Sequence, residues 1–125
     1  MTAPSSAPTV QQKFEKIMPA FPLADVAAGV VYYRDVLGFS INYQMEGFAV
    51  MDRDRARILL ITKTAQHKGI ASCYVYVADA DALHAELTAK GANVEAAPVS
   101  RPWGLREFRV FDPEGNIVTL GQPFE

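Results

Sequence analysis

Few side chains in this sequence have the types and spacing that catalysis requires. His67 lies in a polar connection and His84 inside a helix-like segment, too far apart for an H-x₃-H metal site, and both are expected to be solvated. Glu46, Asp52 and Glu107 do not fall in a motif that pairs a nucleophile with a base, although one carboxylate and a tyrosine could transfer a proton. No triad, phosphate-binding loop or dinucleotide fingerprint is present.

Two further reactive groups have alternative interpretations. Cys73 is the only cysteine, which excludes an internal disulfide and a cysteine metal cluster. Its apolar surroundings favour a buried structural thiol over a reactive one. Glu107 is interpreted as an exposed strand charge, or as the partner of Arg106, Arg109 or a cationic ligand.

The single tryptophan is the most distinctive candidate binding residue. Trp103 lies between Pro102 and Gly104, in a loop where a large apolar ring has few ways to be buried. It therefore covers either a cleft or another subunit, or it caps the core.

Composition narrows the class of protein and its partners. The chain has 125 residues, 12 basic and 14 acidic side chains and a net charge of −2, without a basic block, which argues against nucleic acid as a partner. No apolar run approaches the roughly 18 to 20 residues of a membrane-spanning helix. Residues 1–14 lack the apolar region of a secretory signal, so we predict a disordered tail, a single domain over residues 15–125 and a cytoplasmic location.

The elements that must position these residues repeat along the chain. In the first half an apolar strand precedes a helix that Asp25 caps and Gly38 ends; in the second half a strand precedes a helix between Asp79 and Gly91. Alternation and turn signals predict these strands: 17–23, 40–44, 48–52 and 58–62 in the first half, then 72–77, 93–95, 105–111 and 117–120 in the second. The fold class is therefore α+β, with two βαβββ modules.

The single helix of such a module leaves one face of its sheet uncovered. We expect the uncovered faces of the paired modules to form a cupped mixed sheet. If the odd-numbered residues of 72–77 pack on the second helix, then Ser72, Tyr74 and Tyr76 face the cup. The two tyrosines are interpreted either as ligand contacts or as half-buried sheet aromatics without a ligand.

The strings L-A-D-V…Y-Y-R-D-V-L-G-F, V-A-D-A-D-A-L…A-K-G-A and D-P-E-G-N resemble those of the vicinal oxygen chelate superfamily, which includes glyoxalase I, extradiol dioxygenases and bleomycin resistance proteins. The resemblance covers residues 15–123, with modules at about 15–64 and 70–123. M-P-A-F-P-L-A-D-V, G-F-A-V and P-W-G-L-R-E-F are most similar to the bleomycin resistance group. That resemblance implies a homodimer whose two subunits share clefts lined by aromatic side chains.

The resemblance also identifies the positions where the enzymes of the superfamily hold a metal ion. They fall on Met18 or Pro19, near Thr62, on Ser72 and on Thr119. A thioether and hydroxyls without imidazole or carboxylate bind divalent ions poorly. We therefore predict no metal, no cofactor and no enzymatic activity.

The predicted function is sequestration of a small-molecule antibiotic, of bleomycin type or similarly planar and cationic. The resemblance transfers a stacking role to Phe48. Segment 92–104 is shorter than in most resistance proteins, which changes the cleft, so bleomycin itself is left open. The alternatives are a glyoxalase-type lyase or isomerase or a dioxygenase-like enzyme, an interaction module, and a self-resistance protein for another antibiotic. The predicted ligand-binding residues are Phe48, Ser72, Tyr74, Tyr76, Trp103, Arg106, Phe108 and Thr119.

Overall fold

The computed structural model describes residues 12–124 and folds them into two modules of the same plan. The first module contains β1 (Ala20–Leu23), α1 (Val26–Asp35), β2 (Ser40–Met45), β3 (Phe48–Arg53) and β4 (Ala56–Thr62). The second contains β5 (Ser72–Tyr76), α2 (Ala80–Ala89), β6 (Asn93–Val94), β7 (Val99–Ser100), β8 (Leu105–Phe111) and β9 (Ile117–Pro123). The predicted α+β class with two βαβββ modules is confirmed, and β7 is an additional short strand.

Several predicted bounds are corrected. Residues 17–19 are not part of the first strand, which begins at Ala20, and β9 continues past the predicted end to Pro123. β7 lies in a segment that we expected to be loop. The predicted tail, residues 1–14, lies outside the described residues except for 12–14, which are exposed and carry no helix or strand.

Side-chain caps fix the start of both helices. Asp25 Oδ1 accepts a hydrogen bond from the Ala28 amide at 3.0 Å, and Asp79 Oδ1 accepts one from the Ala82 amide at 3.0 Å. Gly38 follows α1 with a φ of +77°, a conformation that favours glycine. Neither helix in the described part of the chain has the length and apolar character needed to cross a bilayer.

The strands form two mixed sheets, one in each module. The first has the order β1-β4-β3-β2, and the second has the order β5-β9-β8-β6 with β7 also paired to β8. The β1–β4 and β5–β9 pairs are parallel and the others antiparallel. Both β1 and β5 are therefore edge strands.

Each sheet packs its helix against one face. In the first module Phe21, Leu23, Met51 and Leu60 have no exposed surface on the side that α1 covers. In the second module Val110, Val118 and Leu120 face α2 and are buried. The other face of each sheet is uncovered, and we call it the open face.

The turn between β8 and β9 joins the two modules through buried polar groups. Asp112 accepts hydrogen bonds from the Tyr33 hydroxyl at 3.0 Å and from Asn116 Nδ2 at 2.9 Å, while the same amide nitrogen donates to the Pro22 carbonyl at 3.0 Å. Burial, together with the neighbouring Asp112 carboxylate, holds the pKa of Tyr33 far above its ordinary value. These bonds fix the second module against α1 and β1.

Glu114 of the same turn forms a second connection. Its two carboxylate oxygens accept hydrogen bonds from the amides of Ala24 at 2.7 Å and Asp25 at 3.0 Å, and Lys63 Nζ lies 3.3 Å from Oε1. Partial burial opposes ionisation, but these donors outweigh it, so the pKa of Glu114 is below its ordinary value. The carboxylate therefore anchors the start of α1 from the other module.

Candidate functional site

The open face of the first module is apolar and partly aromatic. Tyr43 and Met45 on β2 are each 54% exposed, and Met45 pairs with Phe48 across the β2–β3 turn. The Tyr43 and Phe48 rings meet edge to face with centroids 5.9 Å apart. The strand register places the side chains of three neighbours on the same face: Val50, Leu59 and Ile61.

The open face of the second module carries two exposed tyrosines. Tyr74 is 41% and Tyr76 is 70% exposed, and their ring centroids are 5.5 Å apart. Tyr74 pairs with Thr119 and Tyr76 with Gly121, which brings the side chains of β5 and β9 together on this face. Gly121 is buried, and a Cβ added there would overlap the Tyr74 ring, so the absence of a side chain makes room for that ring.

A series of polar side-chain contacts connects this face to the loop before β8. The Tyr74 hydroxyl donates to Glu107 Oε1 at 2.9 Å, and Glu107 Oε2 lies 3.7 Å from Arg101 Nε. The Arg101 guanidinium lies 5.9 Å from the centroid of the Trp103 ring. Burial and the bond to Glu107 raise the pKa of Tyr74 to about 12, so this hydroxyl remains a donor at neutral pH.

The structure brings together only part of the predicted site. Ser72, Tyr74, Tyr76 and Thr119 share the open face of the second module. Trp103 is 64% exposed in the loop before β8, connected to that face through Arg101. Phe48 lies on the open face of the other module.

Two of the predicted residues lie on the opposite face of the sheet. Phe108 is 4% exposed and packs edge to face against His84 of α2, with ring centroids 5.1 Å apart. Arg106 donates to Asp81 in the first turn of α2 and to Ser100. Because neighbouring strand residues alternate between faces, these two side chains are directed toward the helix, and the candidate site excludes them.

His84 and Glu107 also differ from expectation. His84 was predicted to be solvated, but it is half-buried against Phe108. Glu107 was expected to be exposed or to pair with Arg106 or Arg109; instead its partners are Tyr74 and Arg101, and its side chain is only 15% exposed. It lies on the second open face beside Tyr74.

The prediction omitted Tyr43 and Met45, which are among the exposed apolar side chains of the first open face. A sequence signal for them existed. Gly47 has a φ of +80° in a tight turn, and a hairpin centred there places Met45 opposite Phe48 and Tyr43 near it.

The positions that correspond to metal ligands in related enzymes do not suit a metal ion. Thr62 Oγ1 donates to the Gly47 carbonyl at 3.0 Å, Ser72 is exposed, and Thr119 pairs with Tyr74. Within residues 12–124 no group of three or more His, Cys, Asp or Glu side chains could hold an ion. Hydroxyl and thioether groups alone make a poor set of ligands for Zn²⁺, Mg²⁺ or Fe²⁺.

The fold defines a class of protein that has two βαβββ modules. Each module has its own small mixed sheet, with one face covered by the helix and the other face open. The chain belongs to one family of this class, the Glyoxalase/Bleomycin resistance protein/Dioxygenase superfamily, whose family model matches residues 18–120. The predicted resemblance is therefore confirmed.

Named relatives fall mainly in the bleomycin resistance group. The chain is 26% identical to the bleomycin resistance proteins of Geobacillus stearothermophilus and Staphylococcus aureus, over 84% of this chain and 94% of those proteins. The structure is similar to that of the bleomycin-binding protein of Streptomyces verticillus in complex with copper(II)-bleomycin, with 28% identity and a TM-score of 0.76 over 92% of this chain and 100% of that one. The fold is also shared with lactoylglutathione lyase of Agrobacterium tumefaciens, with 23% identity and a TM-score of 0.72 over 89% and 96% of the two chains.

Proposed function

We propose that this chain is a non-catalytic binding protein that sequesters bleomycin or a similarly planar, cationic natural product in the cytoplasm. It acts as a homodimer, and each cleft combines open faces from both subunits. The observation that carries the proposal is the pair of uncovered aromatic faces, Tyr43 and Phe48 on one sheet and Tyr74 and Tyr76 on the other. Such contiguous exposed apolar surface is typical of interaction sites.

The chemistry of the two faces suits a flat organic guest. Stacking between aromatic rings contributes about 0.5–1.5 kcal/mol per pair beyond the burial of apolar area. The net charge of −2 mildly favours a guest with a positive charge. Glu107 accepts the Tyr74 hydrogen bond and pairs with Arg101, so it holds the Tyr74 ring in place. The named relatives support bleomycin as the first guest to test, because one of them is described in complex with it.

A second copy is needed because one chain leaves both faces in water. Met45 and Tyr43 are each 54% exposed and Tyr76 is 70% exposed, although each carries a large apolar surface. A cleft formed by two chains would cover these groups and surround the guest on both sides.

Fluorescence of the single tryptophan offers the direct test. The chain is titrated with metal-free and with copper-loaded bleomycin, and the dimer is checked by light scattering. We expect saturable quenching at micromolar ligand. Phe48→Ala should weaken binding at least about fivefold, which corresponds to roughly 1 kcal/mol of lost stacking. Trp103→Ala removes the fluorophore, so its affinity is measured by calorimetry, and we expect it to be weaker too.

The matched control is Phe14→Ala, because Phe14 is a fully exposed phenylalanine outside both open faces. It should leave the affinity unchanged. A folded dimer without quenching would exclude bleomycin as the guest. A stoichiometric divalent metal retained through purification in chelator-free buffer, or turnover of a thiohemiacetal, would replace the proposal with a glyoxalase-type enzyme.

A further inference from the structure

A groove with a volume of about 1010 Å³ lies between the two modules, away from the first open face. Its floor is the helix-covered side of the second sheet, and its walls are α2 on one side and the first module on the other. We call it the intermodule groove. Its apolar lining includes these side chains: Leu37, Phe39 and Ile58 from the first module, Leu83 and Leu87 from α2, and Val75 from β5.

The groove leaves part of the second module's apolar core in contact with water. Cys73 and Val75 on β5, Val77 just after β5 and Leu83 on α2 are all half-buried, although they pack against the apolar core. Burying such a surface under an apolar chain is favourable. The volume is large enough for a small organic molecule, and the lining follows the length of β5 and the first two turns of α2, which suits a hydrocarbon chain.

Most charged side chains that line the groove already have a partner. Arg53 donates to the Leu37 carbonyl at 2.8 Å and lies 3.0 Å from Glu86 Oε2. Arg57 pairs with Asp52 at 2.7 Å. The two remaining acidic groups are Asp79, whose side chain caps α2, and Asp54, which lies 4.0 Å from Arg53 and has a side chain 92% exposed.

Arg55 is the exception. It is exposed at the rim of the groove, and it has no hydrogen bond or ion pair within residues 12–124. A guanidinium presents several donors in a fixed geometry that suits a carboxylate or another oxyanion. An apolar groove with an unpaired cation at its rim is complementary to a hydrocarbon chain with an acidic head group.

We propose that the intermodule groove binds an anionic amphiphile, with its hydrocarbon chain between α2 and β5 and its carboxylate at Arg55. The groove shares Ser72, Tyr74 and Tyr76 of β5 with the second open face, but this proposal does not rest on the function proposed for that face. Cys73, the single cysteine, lines the groove and reports on its occupancy.

The first test uses the unmodified chain and dodecanoate below its micellar concentration. Calorimetry should give one site per chain, and dodecanoate should slow the alkylation of Cys73 by iodoacetamide. Burial raises the pKa of this thiol to about 11, so the labelling is run near pH 9. Each methylene removed should weaken binding about fourfold, the factor that ~0.8 kcal/mol represents, so decanoate should bind roughly fifteenfold more weakly.

The second test separates the head group from the chain. Arg55→Gln should weaken dodecanoate binding about three- to fivefold and leave the affinity for dodecanol unchanged. Arg34→Gln is the control, because Arg34 pairs with Asp35 on α1 and does not line the groove. Leu83→Glu, checked for its fold by circular dichroism, should abolish binding of both compounds. Arg55→Gln should leave the bleomycin titration unchanged, because Arg55 lies in the β3–β4 turn and not on an aromatic face, so failure of this proposal is distinguishable from failure of the proposed function.

Three outcomes would overturn the proposal. One is an unchanged rate of Cys73 alkylation in the presence of bound dodecanoate, because the hydrocarbon chain would then lie outside the groove. Another is equal loss of dodecanoate and dodecanol affinity in Arg55→Gln, which would exclude recognition of the acidic head. The last is protection of Cys73 that rises with protein concentration without any amphiphile, which would identify a second copy of the chain as the occupant.

Discussion

The two modules share one order of elements but differ in how completely the helix closes its side of the sheet. Phe21, Leu23 and Leu60 in the first module have no exposed surface. In the second module Val75 and Leu83 are only half-buried and line the intermodule groove. A repeated topology therefore does not impose equal packing: the helix side of the first sheet is fully covered, and that of the second leaves apolar surface exposed in the groove.

The two helices carry side chains of very different size at one equivalent position. Counted from the aspartate caps, Gly29 is the fourth residue of α1 and Leu83 is the fourth residue of α2. A Cβ at Gly29 would overlap the Leu23 side chain, so the glycine allows α1 to lie close to β1. Leu83 has a bulky side chain at the same place, and that side chain lines the groove.

The largest effect that separates the modules is expected from core truncation. Leu60→Ala removes a fully buried side chain and should lower the free energy of unfolding by about 2–5 kcal/mol. Leu83→Ala should cost no more than about 1 kcal/mol, because its side chain is only half-buried. Urea denaturation followed by circular dichroism measures both.

Equal losses in these two variants would contradict the difference between a closed and an open module. Leu87→Ala is a useful internal control, because Leu87 lies on the same helix as Leu83 but is 2% exposed. Its loss should resemble that of Leu60→Ala.

The next effect concerns the turn that joins the modules. Glu114→Gln removes the charge that accepts the Ala24 and Asp25 amides, and we expect a loss of about 1.5–3 kcal/mol at pH 7. The folded-state pKa of Glu114 is below its unfolded value, so its contribution is complete above the unfolded pKa. That contribution disappears as the pH falls through the lower, folded pKa.

Denaturation of the unmodified chain and of Glu114→Gln at pH 7 and pH 3 tests this dependence. The difference between the two proteins should shrink at the lower pH. Glu95→Gln is the matched control, because the Glu95 carboxylate pairs with Arg109 at 3.2 Å on the surface and should change stability by less than about 1 kcal/mol. A difference that is constant with pH would exclude ionised Glu114 as the stabilising form.

Local chemistry made most of the fold predictable. The caps Asp25 and Asp79, the glycine after each helix and the turn at 112–116 have their expected structural roles. These signals depend on residues a few positions apart, so they can be recognised in the sequence without the tertiary structure. They located both modules and nearly all strands.

The faces of the strands were harder to predict, because alternation gives two sets of residues but not which set the helix covers. On β8 the predicted binding residues Arg106 and Phe108 face α2, whereas Glu107 lies on the open face. On β2 the register shifts between Ile41 and Tyr43, so simple alternation from Ile41 does not predict the outward position of Tyr43.

The intermodule groove had no sequence signal that we recognised. It is lined by residues of α2, β5 and the β3–β4 hairpin of the other module. These elements are far apart in the chain, so their juxtaposition depends on tertiary packing.

The smallest expected mutational effect comes from a substitution on the second open face, which should not alter the first module. Gly121→Ala places a methyl group where the Tyr74 ring lies, so the ring must rotate away and the bond between its hydroxyl and Glu107 breaks. We expect a stability loss of about 1 kcal/mol and weaker bleomycin binding. Gly69→Ala, in an open connection with nothing within 4 Å of the added carbon, should change neither quantity. Unchanged binding in Gly121→Ala, with the fold retained, would mean that the guest does not contact Tyr74 and that the first module's open face holds it alone.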